Sequence, residues 1–258
     1  DFIPVGFDHI VPKGLDHIRR AANATAISGL LNARSLRIGM IDEFESNVTP
    51  ALASFLAKEM PRAAVSIRNI LSHQAPGLLH KGEIDLAVVA ESGDDTSGVS
   101  SLRLMRDPFV LVVPDTLNDG PADIVNGRTK LDFLRFNQTH LIGKQIAAHL
   151  ARNQIAIPRR LEFDSVQSIM AIVAAGAGWS IVTPLGFVRS LRFATNTRLH
   201  PLPLPAFSRR MALVSRDSID TQTREAVAAL LRQIMHREVI QPAYTAYPWL
   251  SGSLTITQ

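Results

Sequence analysis

The chain has 258 residues, of which 46% are hydrophobic and 19% charged, as is typical of a globular protein with one large domain or two small ones. It contains no cysteine, which excludes disulfide and thiolate chemistry and limits any zinc site to histidine and carboxylate ligands. The net charge of +4 comes without long basic runs, and pairs such as Arg209-Arg210 are interpreted as solvated surface rather than as a nucleic-acid-binding patch.

The first ten residues lack the basic and then apolar pattern of a signal peptide, which favours a cytoplasmic location. No later apolar run approaches the ~20 residues that span a bilayer, so no membrane partner is expected. Residues 14–31 are predicted to form an alanine-rich amphipathic helix that suits close packing against another helix.

From residue 36, predicted strands alternate with predicted helices. The strands are 36–41, 63–70, 84–90 and 102–114, and the helices are 49–60 and the less regular 73–83. Thr49 is the expected N-cap of the first of these helices, with Pro50 at its first helical position. The order strand, helix, strand, helix, strand predicts a doubly wound parallel sheet.

Residues 115–128 interrupt this alternation and resemble a linker, after which a second unit of the same kind begins. Its predicted elements are strands at 131–136, 159–163 and 179–184, and helices at 141–153, after a possible Thr139 cap, and 164–176, after an Asp164 or Ser165 cap. The three prolines of 199–205 indicate an edge or crossing segment. Strand 210–215 and helix 217–237 follow, and the tail, which holds both tyrosines, is expected to pack on the rest of the protein.

Three acids, Asp42, Glu43 and Glu45, follow the first predicted strand. Ligands of open α/β sheets bind beyond the carboxyl ends of the strands, so this turn is a predicted binding position. Solvated surface remains an alternative. A calcium loop would need alternating oxygen ligands around a central glycine, and a catalytic carboxylate pair would need a substrate context that nothing in the chain supplies.

Other motifs of enzymes are incomplete. Ser72 and His73 are adjacent, but a catalytic triad depends on geometry, and the chain contains neither G-x-S-x-G nor H-E-x-x-H. The stretch AAGAGW lacks the third glycine of a dinucleotide fingerprint and leads into a strand instead of opening a helix. No catalytic residue, metal ligand or cofactor is therefore predicted, and the chain is not expected to be an enzyme.

The order LRIG, GEIDLAVV, PFVLVVP and FDS…IVAAGAGWSIVTP resembles the regulatory domain of LysR-type transcriptional regulators over roughly residues 11–237. The pairing of GEIDLAV with VAAGAGWSIVTP is what makes the resemblance specific. The stretch VPKGLDHIRRAA is similar to the end of the family's DNA-binding wing and the start of its linker helix. The resemblance therefore implies a missing N-terminal winged helix-turn-helix, through which alone the protein would contact DNA.

The resemblance also implies the architecture. The expected fold is α/β, of the type 2 periplasmic-binding-protein-like class, with two doubly wound α/β subdomains joined by two crossover segments and preceded by a linker helix. Carried onto this chain, the parts are 1–33 for the wing remnant and linker helix, 34–113 plus 207–237 for subdomain one, 114–206 for subdomain two and 238–258 for the C-terminal tail. A homodimer or homotetramer is implied, with 14–31, 49–60 and 217–237 as candidate contacts.

A small-molecule inducer would bind in the cleft between the subdomains. By position, the resemblance implies contacts from Asp42, Glu43, Phe44, Ser46, Ser72, His73, Phe136, Asn137, Gln138, Thr139, Asp164 and Ser165. The family usually has small hydroxyl residues in the first turn, whereas this chain has acids. An amine or hydroxyl group is therefore expected there in place of a simple carboxylate, because like charges repel. The alternative function is a periplasmic solute-binding receptor of a transport system, which would need no helix before residue 36.

Overall fold

The computed structural model describes residues 34–92 and 98–257. The predicted helix 14–31 and the expected wing remnant lie outside the described residues. The described part has the α/β alternation that the sequence predicts from residue 36 onwards.

The bounds of the regular elements are as follows. The strands are β1 (Ser35–Met40), β2 (Ala64–Asn69), β3 (Leu86–Ala90), β4 (Val99–Pro108), β5 (Val110–Pro114), β6 (Leu134–Phe136), β7 (Leu161–Phe163), β8 (Ser180–Val182), β9 (Thr197–Pro201), β10 (Ser208–Arg216) and β11 (Thr255–Ile256). The α-helices are α1 (Val48–Glu59), α2 (Ala75–His80), α3 (Pro121–Val125), α4 (Leu141–Arg152), α5 (Val166–Ala174), α6 (Pro184–Arg189), α7 (Thr221–Met235) and α8 (Gln241–Ala246). Short 3-10 helices lie at Asp42–Phe44, Ser72–Gln74, Leu191–Asn196 and Pro248–Leu250, and a π-helical turn lies at His236–Ile240.

The larger sheet has six strands in the order β11-β4-β10-β3-β1-β2. β1 pairs in parallel with β2 and β3, so Ile38 lies opposite Ile67 on one side and Leu86 on the other. All five residues of β3 are buried, as expected of a parallel strand covered on both faces. The carboxyl ends of these three parallel strands point in the same direction, and the turns that follow β1 and β2 therefore lie next to each other.

The remaining strands form a smaller group. β5 pairs antiparallel with β8 and β9, β6 pairs in parallel with β7, and a bridge from Phe133 to Trp179 joins the two sets. The sequence-based division placed residues up to 113 with the first unit, yet β5 pairs with the smaller group. The chain passes from the larger sheet to the smaller group at Phe109 and returns to the larger sheet at Phe207, just before β10. The rings of these two residues stack, with 4.1 Å between their centroids. The two segments that connect the larger sheet with the smaller group thus run side by side.

In the second half of the chain one prediction is wrong, and one helix is not predicted. Residues 115–128, interpreted as a linker, contain α3, in which Ile124 and Val125 are buried in the core. The sequence pattern also omits α6, because Pro184 and Gly186 resemble loop residues. Pro184 instead occupies the first helical position after Thr183, whose Oγ1 accepts a hydrogen bond of 3.4 Å from the Gly186 amide.

Two of the predicted N-caps are wrong as well. α1 begins at Val48, one residue before Thr49, and the Thr49 hydroxyl donates to Met40 Sδ at 3.4 Å instead of capping the helix. Thr139 lies two residues before α4, and its hydroxyl donates to Asn137 Oδ1 at 2.9 Å. Neither threonine stands at the N-cap position, which Asn47 occupies for α1 and His140 for α4.

The C-terminal tail packs on the rest of the protein, as expected. β11 adds to the edge of the larger sheet beside β4, and the Thr257 amide donates to Leu104 O at 2.9 Å. Leu254 is fully buried. On the other side, the Tyr247 ring meets the Phe187 ring of α6 edge to face, with 5.4 Å between centroids. The tail therefore contacts both the larger sheet and the helix that follows β8.

Two further properties concern the described part of the chain. No helix within residues 34–92 and 98–257 is long and apolar enough to cross a membrane. In the same ranges, no three histidine, aspartate or glutamate side chains lie together in a way that could hold a metal ion.

Candidate functional site

A cleft opens where the carboxyl ends of β1, β2 and β3 face β6 and the first turns of α4 and α5. Its innermost space has a volume of about 40 Å³. It shares residues with two wider grooves of about 560 and 480 Å³. The innermost space is lined from the larger sheet by Ile41, Asp42, Glu43, Ile70, Leu71, Ser72, His73, Ala90 and Arg209, and from the smaller group by Phe136, His140, Leu141, Ile142, Asp164 and Val166. Both halves of the fold thus contribute a wall.

The structure brings half of the twelve candidate residues together around the innermost space. These residues are Asp42, Glu43, Ser72, His73, Phe136 and Asp164. Thr139 lines one of the wider grooves. The remaining candidates line neither the innermost space nor the two wider grooves: Phe44, Ser46, Asn137, Gln138 and Ser165.

The 3-10 turn after β1 explains why neighbouring candidates separate. The Phe44 amide donates to Ile41 O at 3.1 Å, and the Glu45 amide donates to Asp42 O at the same distance. This tight turn places the Phe44 ring in the core, where it has no exposed surface, and leaves the Asp42 carboxyl at the cleft. The sequence predicts cleft contacts from both Asp42 and Phe44, but the turn directs only Asp42 to the cleft.

The second wall is held by short-range hydrogen bonds. Gln138 Nε2 donates to both Phe136 O and Gly143 O at 3.2 Å. Asn137 Nδ2 donates to Asp164 Oδ1 at 2.7 Å, which links the turn after β6 to the turn before α5. Asn137 and Gln138 therefore position the wall, whereas Phe136 and Asp164 face the cleft.

A buried arginine lies at the inner end of the cleft. Arg209 on β10 is 3% exposed, and its guanidinium donates to Glu43 Oε1 at 2.7 Å, Asp107 Oδ2 at 3.0 Å and Thr183 Oγ1 at 3.0 Å. Asp107 also accepts a hydrogen bond of 3.3 Å from the amide of Leu185 on α6. The interpretation of Arg209 as solvated surface is therefore wrong. Residues alternate between the two faces of a strand, so its neighbour Arg210 is exposed and Arg209 points inward.

This network sets the ionisation of its members. Burial alone would lower the pKa of Arg209, but the charges of Glu43 and Asp107 raise it above its ordinary value. Burial opposes ionisation of Glu43, yet the charge and hydrogen bond of Arg209 bring its pKa below the ordinary value. Burial outweighs Arg209 at Asp107 and raises the pKa of that carboxyl. One guanidinium is thus shared by two buried carboxyl groups.

A second arginine binds the other two acids of the first turn. Arg189, the last residue of α6, donates through Nη1 to Asp42 Oδ2 and through Nη2 to Glu45 Oε2 at 2.7 Å, and 8% of its side chain is exposed. Burial and the charge of Glu43 raise the pKa of Asp42 to about 6, against the opposing effect of Arg189. Sequence reasoning missed Arg189 because α6 itself carries no recognisable helix pattern.

The start of α5 resolves the choice between two predicted caps. Ser165 Oγ accepts a hydrogen bond of 3.2 Å from the Gln167 amide and is the N-cap. Asp164 is left with 72% of its side chain exposed, and its Oδ1 lies 3.7 Å from His140 Nε2. Gly176, with φ +79°, lies just after the helix end in the left-handed conformation that glycine adopts without strain.

Ser165→Ala is expected to lower the free energy of unfolding by about 1 kcal/mol, because the first turn of α5 loses its side-chain acceptor. Ser168→Ala, on the exposed face of the same helix, is the matched control. It is expected to be neutral or slightly stabilising, because alanine is the better helix former. Urea denaturation measures both values. Equal effects of the two substitutions would contradict the assignment of the cap.

The sequence and the fold were compared with those of known proteins. The family model described as LysR substrate binding domain matches residues 31–237. Similar solved structures include an H2O2-bound cysteine-to-serine mutant of Corynebacterium glutamicum OxyR, with TM-score 0.68 and 20% identity over 91% of this chain and 76% of that one. Reduced OxyR from N. meningitidis has TM-score 0.62 and 18% identity, over 87% of this chain and 99% of that one.

The reduced OxyR regulatory domain from Pseudomonas aeruginosa has TM-score 0.61 and 22% identity, over 78% of this chain and 95% of that one. No curated protein matches the sequence. At these identities the similarity to solved structures concerns the fold alone, which is the periplasmic-binding-protein-like α/β fold of such regulatory domains.

Proposed function

We propose that this chain, which belongs to the LysR substrate-binding domain family, is the effector-sensing and oligomerisation domain of a transcription regulator. Members of this family are regulators and not enzymes. A small-molecule inducer would bind in the cleft and control how the regulator binds DNA. The observation that carries the proposal is that both halves of the fold line one cleft with polar and apolar side chains.

The proposed signal is a change in the relation between two subdomains, 34–113 plus 207–237 and 114–206. The pairing of β5 favours a boundary nearer Phe109 than the position of 113/114 inferred by resemblance. A ligand that touches both walls favours the arrangement in which both contacts form. It shifts the equilibrium only by its difference in affinity for the two arrangements.

We propose reversible binding rather than thiol oxidation as the sensing event. The similar solved structures are described as reduced, or as a cysteine mutant with H2O2 bound. Peroxide sensing through a thiolate needs a reactive cysteine. These 258 residues contain none, so a thiol cannot be the sensor within them.

The proposed partners follow from the family. A homodimer or homotetramer would form through the helices near 49–60 and 217–237, together with 14–31. DNA would be bound by a winged helix-turn-helix preceding this region in a longer chain, and such a regulator would act in the cytoplasm. Light scattering tests the oligomer, and a strictly monomeric protein at tens of micromolar would contradict it.

A thermal-shift screen of amines, amino acids, sugars and carboxylates tests the effector site. A ligand at 100 times its dissociation constant is expected to stabilise the protein by roughly 2.7 kcal/mol. His73→Trp, at an exposed position of the cleft, should abolish the stabilisation by filling the site. His236→Trp, exposed at the end of α7, is the matched control. A ligand that stabilises both variants equally would bind outside the cleft and contradict the proposal.

A further inference from the structure

The charged side chains around the innermost space are not equally available to a ligand. Arg209 is the one arginine or lysine among its lining residues, and Glu43, Asp107 and Thr183 already accept hydrogen bonds from its guanidinium. Glu43 is itself buried and is the acceptor of that guanidinium. Neither the inner arginine nor Glu43 is therefore left to pair with a ligand charge.

Two carboxylates of the lining keep a larger exposed fraction of their side chains, and they come from opposite walls. Asp42 follows β1, and 35% of its side chain is exposed, although Arg189 contacts it from outside the lining of this space. Asp164 precedes α5 on the other wall and is 72% exposed. Asn137 donates to Asp164, and His140 Nε2 lies 3.7 Å from its Oδ1, but the hydrogen bonds of Arg189 and Arg209 go to other carboxyl groups. An incoming group between the walls would thus meet negative charge on both sides.

Most of the remaining lining is apolar, and its other polar side chains are Ser72, His73 and His140. Seven hydrophobic side chains larger than alanine surround the same space: Ile41, Ile70, Leu71, Phe136, Leu141, Ile142 and Val166. Ligand pockets generally combine such walls with a few polar groups that fix orientation. The space of about 40 Å³ suits one small head group, and the wider grooves leave room for what is attached to it.

We infer that the cleft binds a ligand with an aliphatic body and a cationic head, of the alkylammonium class, held between Asp42 and Asp164. The inference rests on the proposed function of the cleft as the effector site and specifies its ligand. A cation gains attraction from both walls. A carboxylate is repelled by both, and the inner arginine, already bound by two carboxyl groups, offers no compensating charge.

Three probes of matched size and different charge test the inference: n-butylammonium, butyramide and butyrate. Their dissociation constants are measured by amide chemical-shift titration at about pH 7.5, where Asp42 with its pKa of about 6 is ionised. Butylammonium is expected to bind at least roughly tenfold more tightly than butyrate, with butyramide between them. The shifted amides should lie in the turns after β1 and before α5.

Variants on each wall provide the second readout. Asp42→Asn and Asp164→Asn are each expected to weaken butylammonium binding about tenfold and to leave butyramide binding unchanged. Asp164 is mostly exposed, so its variant keeps the fold even if Asp42→Asn loosens the first turn. Asp132→Asn, which alters a carboxylate paired with Arg160 outside the cleft lining, is the control and should change nothing.

Three outcomes would overturn the inference. These are equal or tighter binding of butyrate, no weakening of butylammonium binding in either cleft variant, and no binding of butylammonium at tens of millimolar. Butyrate binding in the cleft would leave the proposed sensing function intact and refute only the charge of its ligand. Failure of the proposed function itself would be seen separately, if the ligands found in the broad thermal-shift screen stabilise the His73→Trp variant as much as the natural protein.

Discussion

Arg209→Ala is expected to lower the free energy of unfolding by about 3–5 kcal/mol. The arginine is buried between Glu43, which is 10% exposed at its side chain, and Asp107, which has no exposed side-chain surface. Its removal leaves two carboxyl groups in the protein interior without the cation they share. Uncompensated burial of charge is among the most costly changes that one substitution can make.

The neighbouring residue supplies a control of the same chemistry. Arg210 is exposed on the other face of β10, and its nearest carboxylate contact is Glu91 at 3.9 Å. Arg210→Ala is expected to change stability by less than about 0.5 kcal/mol, as exposed ion pairs contribute little. Urea denaturation of both variants at neutral pH measures the difference. A loss below about 1 kcal/mol for Arg209→Ala would contradict the buried network.

A second variant keeps the test informative if Arg209→Ala does not fold. Arg209→Lys retains the positive charge but replaces the planar guanidinium with a single ammonium group. It is expected to be less stable than the natural protein and more stable than Arg209→Ala, because it cannot reach Glu43, Asp107 and Thr183 with the same geometry. Equal stability of Arg209→Lys and the natural protein would mean that charge alone matters at this position.

The regular elements were predictable from sequence because local patterns define them. β3 is a continuous apolar run and is buried on both faces, and α5 combines a helical apolar stripe with a serine cap and a terminal glycine. α6 was not predictable in this way. Its first residues include Pro184 and Gly186, and its five buried positions show no polar face that would reveal a helical period.

The electrostatics of the cleft depended on contacts that no local pattern encodes. Arg209 is 166 residues from Glu43 and 102 from Asp107. Arg189 is 147 residues from Asp42. The sequence predicts a binding position at the acids of the first turn, and in the structure Asp42 and Glu43 line the cleft. It could not indicate that arginines from α6 and β10 pair with these acids.

These contacts connect the two halves of the fold around α6. The helix is linked to the first turn through Arg189, to the crossover strands through Thr183 and Leu185, and to the tail through Phe187. A ligand that moves one wall of the cleft would have to displace this helix or rotate around it. We therefore expect the salt bridges of α6 to contribute to the free energy of ligand binding as well as to stability.

Gly143→Ala is the second substitution with a large expected effect, because it acts on the backbone of a cleft wall. A Cβ at Gly143 would lie 2.2 Å from Asn137 O and 2.8 Å from Phe136 O. These are backbone atoms of the turn after β6, and they cannot rotate away as a flexible side chain would. The first turn of α4 can approach this turn only without a side chain at that position.

The expected loss is about 1–3 kcal/mol of unfolding free energy, the cost of forcing extra volume into a packed site. Separation of α4 from the turn would also displace Phe136, His140 and Leu141 from the cleft, so ligand affinity should fall with stability. Gly77→Ala is the matched control. It lies in α2, where a Cβ meets nothing within 4 Å, and it is expected to stabilise the protein by about 0.5–1 kcal/mol.

The two glycine variants therefore have opposite expected signs, which urea denaturation distinguishes without knowledge of the ligand. Amide spectra locate the change, and Gly143→Ala should shift resonances of the turn after β6 and of α4. If Gly143→Ala were as stable as the natural protein, α4 would not be seated on that turn. The wall that contributes Phe136 and Asp164 to the cleft would then lose the contact and the Gln138 hydrogen bonds that position it.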